Sequence, residues 1–316
     1  MTSLHDFRIL ETLLWVPASL VRQHNVLLCA NHDLSSRHLQ VATPNGSSIV
    51  FLWSLHLDRL SKALLQLPVN LGLGSLPREV VQMVTTDATD AVLAHILAAA
   101  RHASDNEEVC LRIRLLVDLN GRATVQSAPI PFPSTLSWSI PICPPSIRDA
   151  SSMKDWWAAT SPAAPGAITM HLDLSNPIST LEQPTLSPFP SDFLIHKTTH
   201  RTICDSAQLR AKSALNLAPD VWIDVLLHTR SGFITESCIA NIAVLSPDTQ
   251  QWTTPKIDEK GGVSLLPGCM RSVLLDDNVI HEGYVPLTWV TELGMPVVGF
   301  NSVRGCFPVN VKLLHG

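Results

Sequence analysis

The stretch Trp222–Leu245, WIDVLLHTRSGFITESCIANIAVL, contains the pattern that decides the fold. Two apolar, strand-like runs, Val221–Leu227 and Phe233–Leu245, flank the segment His-Thr-Arg-Ser-Gly, in which Gly232 can supply the positive φ of a turn. The pattern predicts a β-hairpin. Its second strand carries Glu236, a carboxylate that is costly to bury among isoleucines unless a cation pairs with it. Glu236 is therefore a candidate site residue, although a glutamate at an exposed strand end would give the same pattern.

The composition indicates a globular chain and excludes several classes of partner. The chain has 316 residues, 46% of them hydrophobic, which is enough for one large domain or two moderate ones. A formal net charge of −5 gives no electrostatic reason to expect nucleic acid or an anionic membrane surface as a partner. Seven cysteines, an odd number without a close C-x-x-C pair, favour reduced thiols, and no zinc-site spacing is present. The missing zinc-site spacing leads us to expect no metal. We expect a cytosolic protein, since the N-terminus lacks a signal-peptide pattern and no apolar stretch approaches about 18 residues.

The first part of the chain alternates strand and helix patterns. Phe7–Val16 and Ser48–Trp53 are strand-like. Leucines and alanines then recur at helical spacing and predict a helix that carries Arg59 and ends before Pro68. On periodicity alone, Arg59 would be an ordinary solvated arginine. A second amphipathic helix, in one piece or two, is predicted over Glu79–His102.

The first part closes with the strongest hairpin signal in the chain. Strand-like runs at residues 111–117 and 122–127 flank an Asn120-Gly121 turn. The next segment is rich in Pro, Ser and Ala and has little periodicity. We therefore predict an N-terminal α/β domain over residues 1–133, an interdomain linker over residues 134–166 and a C-terminal domain over residues 167–316.

The C-terminal part carries a candidate reactive amine and a candidate anion site. Lys197 follows the apolar run Phe193–Ile195, and a partly desolvated lysine has a lowered pKa and can form a Schiff base. A surface lysine beside a loop is the alternative. Residues 264–271 predict a turn that opens a short helix, whose first N–H groups can bind an anion. A helix is also predicted over Cys204–Leu215, and a strand that runs into a glycine turn is predicted over residues 297–305.

The ordered set of motifs resembles the fold-type IV enzymes that depend on pyridoxal phosphate, the class IV aminotransferase family. The matching motifs are HLDRL (56–60), HKTTHR (196–201), ITESCIANIAV (234–244), TPKIDEKGGVSLLPGCMR (254–271) and FNSVRGC (300–306). Within that family, the sequence looks most like the fungal 4-amino-4-deoxychorismate lyases. The resemblance implies an α/β (α+β) fold with a small N-terminal α/β domain, a larger C-terminal domain with a β-barrel-like core, and a homodimer.

The same resemblance assigns roles to individual residues. Lys197 would form the Schiff base with pyridoxal 5′-phosphate, and Glu236 would hold the pyridine nitrogen protonated, which answers its need for a cationic partner. The remaining contacts, all to the cofactor phosphate, would come from Arg59, from the backbone N–H groups of Cys269 and Met270, and from the hydroxyl of Ser302.

The implied reaction converts 4-amino-4-deoxychorismate to 4-aminobenzoate and pyruvate. Lys197 would remove the proton from the amine-bearing carbon before the enolpyruvyl group is eliminated, with Thr12 or Thr199 as helpers. An aminotransferase acting on a D-amino acid, a branched-chain amino acid or an amine would use the same cofactor residues. A secondary-metabolism relative acting on another amine and a non-catalytic relative are further alternatives.

One departure from the family pattern concerns the substrate. Fungal lyases usually carry a tyrosine seven residues after the lysine, and here that position is Cys204. We interpret Cys204 as a packing residue, because a free cysteine is commonly a small buried hydrophobe. His196 and His200, beside the lysine, are interpreted as structural.

Overall fold

The chain folds into two compact units, each with its own sheet. In a computed structural model, the described residues are 8–24, 37–43, 46–102, 109–118, 120–131, 140, 149–160, 167–178, 192–258 and 263–314. Unit 1 comprises Met1–Ser134 and Pro184–His200, and unit 2 comprises Thr135–Gln183 and Arg201–Gly316. Within the described residues, no helix is both long and apolar enough to cross a membrane.

The strands and helices are numbered in chain order. The strands are β1 (Ile9–Val16), β2 (Leu39–Thr43), β3 (Gly46–Val50), β4 (Val109–Val117), β5 (Ala123–Pro131), β6 (Ile168–Leu172), β7 (Asp224–His228), β8 (Ile234–Ser237), β9 (Asn241–Leu245), β10 (Trp252–Pro255), β11 (His281–Gly283), β12 (Val297–Asn301) and β13 (Gly305–Leu313). The helices are α1 (Ala18–His24), α2 (Trp53–Asn70), α3 (Arg78–His102), α4 (Ala150–Thr160), α5 (Asp192–Ile195), α6 (Thr202–Ala214), α7 (Cys269–Asp276) and α8 (Leu287–Thr291).

Unit 1 is built on a five-stranded antiparallel sheet in the order β2-β3-β1-β4-β5. Strand β1 pairs with β4 from Ile9 to Trp15, whereas β3 covers its other edge only at Trp15 and Val16. The uncovered end of β1 pairs instead with Thr198, which forms an antiparallel bridge with Ile9. The segment that carries Lys197 is thereby attached to the sheet of unit 1.

Helix α2 packs on this sheet through a stripe of residues spaced three and four apart. The stripe contains Arg59, which is only 8% exposed, so the alternative of an ordinary solvated arginine is wrong. The helix also continues through Pro68 to Asn70, beyond its predicted end. Proline lacks one N–H donor, and so close to the end of the helix this removes one hydrogen bond without stopping the helix.

Unit 2 is built on an eight-stranded mixed sheet in the order β11-β10-β9-β12-β13-β6-β7-β8. Strands β8 and β9 stand five positions apart, which would separate them by about 24 Å in a flat sheet. Only Cys238–Ala240 connect them, and this link spans at most about 15 Å. The sheet therefore curls into a half-barrel, and the predicted α/β fold with a barrel-like core is confirmed.

The predicted hairpin at Trp222–Leu245 is correct in its first half and wrong in its second. Strands β7 and β8 form the hairpin, with Gly232 at a φ of 79°. The second run, however, is two strands, because the backbone turns after Ser237. The Ser237 N–H donates to the carbonyl of Ala240 at 2.9 Å, and the Ser237 hydroxyl accepts the Ala240 N–H at 3.0 Å.

The segment predicted as a linker, residues 134–166, lies largely outside the described residues. Its described part contains α4, whose Trp157 packs edge-on against Trp252 with ring centroids 5.2 Å apart. The described residues 192–200, which fall in the predicted C-terminal domain, belong to unit 1. The pairing of Thr198 with β1 explains that assignment.

Candidate functional site

In unit 1, Lys197 and Thr199 are held by backbone hydrogen bonds to Leu10 of β1 and to Arg8, which precedes that strand. The Lys197 carbonyl accepts a hydrogen bond from the Leu10 N–H at 2.8 Å. The Thr199 N–H donates to the Arg8 carbonyl at 2.8 Å, and the Thr199 hydroxyl accepts the Arg8 N–H at 2.9 Å. These bonds extend the sheet by a short bridge and fix the backbone on both sides of Lys197, whose side chain is half-buried.

His196 precedes the lysine and is 5% exposed. Burial lowers the pKa of His196, so its ring is neutral near pH 7. Its Nε2 atom has no hydrogen-bond partner among the described residues. A neutral, enclosed ring at this position adds no positive charge beside the lysine amine.

Arg59 is held by a buried carboxylate that the sequence analysis missed. Glu11, 1% exposed on β1, accepts a hydrogen bond from Arg59 Nε at 2.9 Å and a second from Arg59 Nη2. His56, one turn earlier on α2, lies 2.7 Å from the same carboxylate through Nδ1. A two-point contact fixes the plane of a guanidinium. Arg59 therefore has a set orientation before any ligand binds.

The pKa of Glu11 reflects this pairing. Burial alone would raise it, but the Arg59 charge and the hydrogen bonds from His56 and Arg59 prevail and lower the pKa of Glu11 to about 2. His56 and Arg59 are three residues apart, which places both side chains on one face of the helix. This spacing is the sequence signal that could have indicated a shared partner for the two residues.

In unit 2, Glu236 lies beside the Leu-Pro-Gly turn. Its Oε1 accepts the Leu266 N–H at 3.1 Å, and its Oε2 lies 3.4 Å from the Asn241 side-chain amide. The same amide donates to the Leu266 carbonyl at 2.8 Å. Asn241 thus ties Glu236 on β8 to the turn that precedes α7, and it is a second residue that the sequence analysis missed.

Gly268 is required by the close approach of Asn241. A Cβ atom built on Gly268 would lie 2.1 Å from Asn241 Oδ1, so any side chain there would displace the amide. Gly268 is also the N-cap of α7, which begins with the buried Cys269 and Met270. The start of this helix therefore presents backbone N–H groups rather than a capping side chain, as an anion site requires.

Ser302, the remaining predicted phosphate contact, is 7% exposed and follows β12. Strand β12 pairs with β9, and its Phe300 is opposite Asn241 in the register. Asn301 stabilises the next turn, because its Oδ1 accepts the N–H groups of Val303 and Arg304. Within unit 2, Asn241 joins Glu236 to the turn before α7, and Ser302 follows two residues after Phe300, the register partner of Asn241. Lys197 and Arg59 belong to unit 1.

The Glu236 carboxyl lacks full compensation for its charge. Burial raises the pKa of Glu236 well above its usual range, and the thiolate form of Cys204 raises it further. The Leu266 N–H and the charges of Arg201 and Arg271 oppose this rise without overcoming it. A cationic group hydrogen-bonded to Glu236 would restore the carboxylate to its charged form.

Comparisons with known proteins indicate the family to which the chain is similar. The profile of the family described as Amino-transferase class IV matches residues 45–311. The chain is 26% identical over 220 residues to the aminodeoxychorismate lyase of Saccharomyces cerevisiae, covering 66% of this chain and 53% of that protein. It is 37% identical over 112 residues to a putative aminodeoxychorismate lyase of Schizosaccharomyces pombe, covering 35% of this chain and 44% of that protein. The chain spans about half the length of the curated relatives it matches.

A solved structure is similar along almost the whole chain. The putative amino-acid aminotransferase from Mesorhizobium loti superposes with a TM-score of 0.54 at 19% identity, covering 97% of this chain and 100% of that one. At this level of identity the likeness concerns the fold. It extends over both units.

Proposed function

This chain belongs to the Amino-transferase class IV family, and we propose that it is a pyridoxal-phosphate-dependent lyase acting on 4-amino-4-deoxychorismate. The products would be 4-aminobenzoate and pyruvate. The choice of reaction is carried by one observation, the similarity to two curated fungal proteins named as aminodeoxychorismate lyases. By the resemblance, fungal lyases usually have a tyrosine at the position of Cys204, so the identity of the substrate is the part of the proposal that the product assay tests.

The residues of the site fit the proposed cofactor. Glu236 is a partly buried carboxyl with a raised pKa, and a protonated pyridine nitrogen would supply the positive charge that stabilises its charged form. The N–H groups at the start of α7, the Ser302 hydroxyl and the Arg59 guanidinium are usual ligands of a phosphate dianion. Lys197 would hold the aldehyde carbon through its amine.

Pyridoxal phosphate, when bound, supplies an electron sink that stabilises negative charge at the carbon that loses its proton. Lys197 Nζ would take that proton from the amine-bearing ring carbon of the substrate. The buried His196 ring, whose pKa is lowered by burial, is neutral near pH 7 and adds no positive charge at the residue before the lysine. Glu236 would keep the ring nitrogen protonated throughout, because the carboxylate and the nitrogen cation stabilise each other in a poorly solvated place.

The products account for every atom of the substrate. Loss of the proton from the amine-bearing carbon and breakage of the neighbouring carbon–oxygen bond release the enolpyruvyl group. That group becomes pyruvate once it gains a proton, and the ring becomes aromatic. An aminotransferase would need the same Lys197 and Glu236 but would return the proton to a different carbon and accept a keto acid as second substrate, so cofactor binding alone does not separate the two reactions.

The test is a product assay on the purified chain loaded with pyridoxal phosphate. We expect a visible absorption band, and release of equal amounts of pyruvate and 4-aminobenzoate after addition of 4-amino-4-deoxychorismate. The same band without these products, together with amino transfer from an amino acid to 2-oxoglutarate, would support the aminotransferase instead. Failure to bind the cofactor at all would overturn the proposal.

A further inference from the structure

Two cysteines lie against each other close to Glu236. Cys204 is in the first turn of α6, and Cys238 is in the turn between β8 and β9. The Cys238 thiol lies 3.7 Å from the Cys204 carbonyl oxygen, and the two thiols also hydrogen-bond to each other. Both pack in the same hydrophobic cluster of unit 2, with Ala207, Ile223 and Val225. Thirty-four positions of sequence separate these two residues, which are neighbours in space.

The two thiols differ in reactivity. The hydrogen bond from Cys238 lowers the pKa of Cys204, and the positive charge of Arg201 lowers it further, against the opposing effects of burial and of Asp224 and Asp205. The same hydrogen bond and burial raise the pKa of Cys238. Cys204 is half-buried, whereas Cys238 is 5% exposed. Cys204 is thus the accessible nucleophile, and Cys238 is the enclosed partner that keeps its proton.

We propose that Cys204 and Cys238 form a peroxide-sensitive dithiol that closes to a disulfide beside Glu236. The proposal concerns a modification site and does not depend on the reaction that the chain catalyses. It gives Cys204, at the position where fungal lyases have a tyrosine, a role beyond packing.

Hydrogen peroxide supplies the oxidising equivalents for this step. The Cys204 sulfur attacks one peroxide oxygen, the oxygen–oxygen bond breaks, and the departing hydroxide takes a proton and leaves as water. The sulfenic acid on Cys204 is then attacked by the Cys238 sulfur, which loses its proton, and a second water leaves as the sulfur–sulfur bond forms. Two electrons pass from the two thiols to one peroxide, and a dithiol reductant reverses the change.

Oxidation would alter the electrostatics of Glu236. The thiolate form of Cys204 contributes to the raised pKa of Glu236, and a disulfide carries no charge. Closing the pair therefore brings the pKa of Glu236 back toward its usual range. It also ties the start of α6 to the turn that immediately follows the Glu236 strand, so the position of the carboxyl and its charge change together.

Tryptic peptides isolate the two cysteines from the other five. Cleavage after Arg201 and Arg210 releases residues 202–210 with Cys204, and cleavage after Arg230 and Lys256 releases residues 231–256 with Cys238. The full chain is treated with hydrogen peroxide, blocked with N-ethylmaleimide and digested without reductant. We expect a linked pair of these peptides whose mass is two hydrogens below their sum, and its disappearance after treatment with dithiothreitol.

The rate and the variants decide whether the pair is specific. Cys204 should lose its reactivity toward N-ethylmaleimide at least about tenfold faster than Cys110, a buried thiol whose pKa burial raises to about 12. Cys110→Ser should keep the linked peptides. Cys238→Ser should remove the linked peptides and leave on Cys204 a sulfenic acid that dimedone traps. Serine is similar in size to cysteine, so this variant tests whether Cys204 is oxidised before Cys238 attacks it.

Three outcomes would overturn the proposal. Both cysteines could be alkylated in full after peroxide treatment, Cys204 could link to a cysteine other than Cys238, or Cys204 could react no faster than Cys110. Circular dichroism of each variant, compared with the parent chain, separates loss of the link from loss of the fold.

Discussion

The replacement Glu236→Gln tests the site through two opposite effects. Glutamine keeps a carbonyl that can accept the Leu266 N–H, which Glu236 accepts at 3.1 Å, and it keeps the size of the side chain. It loses the negative charge. A hydrogen bond to a charged partner contributes about 1.5–3 kcal/mol, which corresponds to roughly 10- to 150-fold in rate. We expect kcat of the loaded variant to fall by a factor in this range.

Without the cofactor, the same replacement should have the opposite effect on stability. Because the pKa of Glu236 is raised in the folded chain, ionisation of this carboxyl lowers the stability of the native state once the pH rises above the ordinary pKa of a glutamate. Glutamine does not ionise, so the variant without pyridoxal phosphate should melt at or above the temperature of the parent chain at pH 8. Differential scanning fluorimetry measures this, and steady-state formation of 4-aminobenzoate measures the first effect.

The matched control is Glu292→Gln, since Glu292 is exposed near the end of α8. It should leave both the rate and the melting temperature unchanged. A Glu236→Gln variant that turns over within twofold of the parent enzyme while fully loaded would refute the pairing of this carboxylate with a cationic ligand. A lower melting temperature without the cofactor would refute the claim that the charge is uncompensated.

Three other replacements address separate parts of the chain. Lys197→Ala should abolish both the visible band of the cofactor and product formation, whereas Lys154→Ala, at an exposed position of α4, should retain both; a band retained in Lys197→Ala would contradict the assignment. Glu11→Gln removes the partner of Arg59, and the pKa of Glu11 of about 2 corresponds to about 3 kcal/mol at pH 7 that is lost as the pH falls from about 4.5 to 2. The loss of stability caused by Glu11→Gln, measured by urea unfolding, should therefore be about half as large at pH 3 as at pH 7. An equal loss at pH 3 and pH 7 would count against the ion pair. Burial raises the pKa of Asp224 to about 6, so its contribution to stability falls as the pH rises from about 4 to 6. Asp224→Asn should flatten the pH dependence of Tm over this interval and melt higher above it, and an unchanged profile would disprove this cause.

Strands and helices bounded by turns that contain glycine or proline could be predicted from the sequence. The Asn120-Gly121 turn predicted the β4–β5 hairpin, in which Gly121 has a φ of 79°. The Leu-Pro-Gly turn predicted a short helix, and α7 begins at Cys269. These signals are local, because the conformation that glycine or proline imposes does not depend on distant residues. The order of the motifs along the chain likewise predicted the family, and the family match over residues 45–311 confirms that prediction.

Contacts between distant residues could not be predicted in the same way. Glu11 and Arg59 are 48 positions apart, and the charge of each is more typical of an exposed residue than of a buried pair. The break between β8 and β9 also has no local signal, since Ser237–Asn241 contains neither glycine nor proline. The strand ends there because the curled sheet requires the chain to change neighbours, which is a property of the whole sheet. The roles of Lys197, Glu236 and the phosphate contacts stay predictions until the cofactor is bound.

The bridge between Ile9 and Thr198 can form only after Thr198 has been translated. Ribosomes add about 5 to 20 residues per second, so the 189 positions between these residues take roughly 10 to 40 s to translate. During that interval the end of β1 that β3 does not cover is an open strand edge, and such edges can pair with other chains. The N-terminal sheet therefore cannot be completed during translation until the lysine segment has emerged. A truncated chain that stops before Thr198 should expose this edge and aggregate more readily than the full chain.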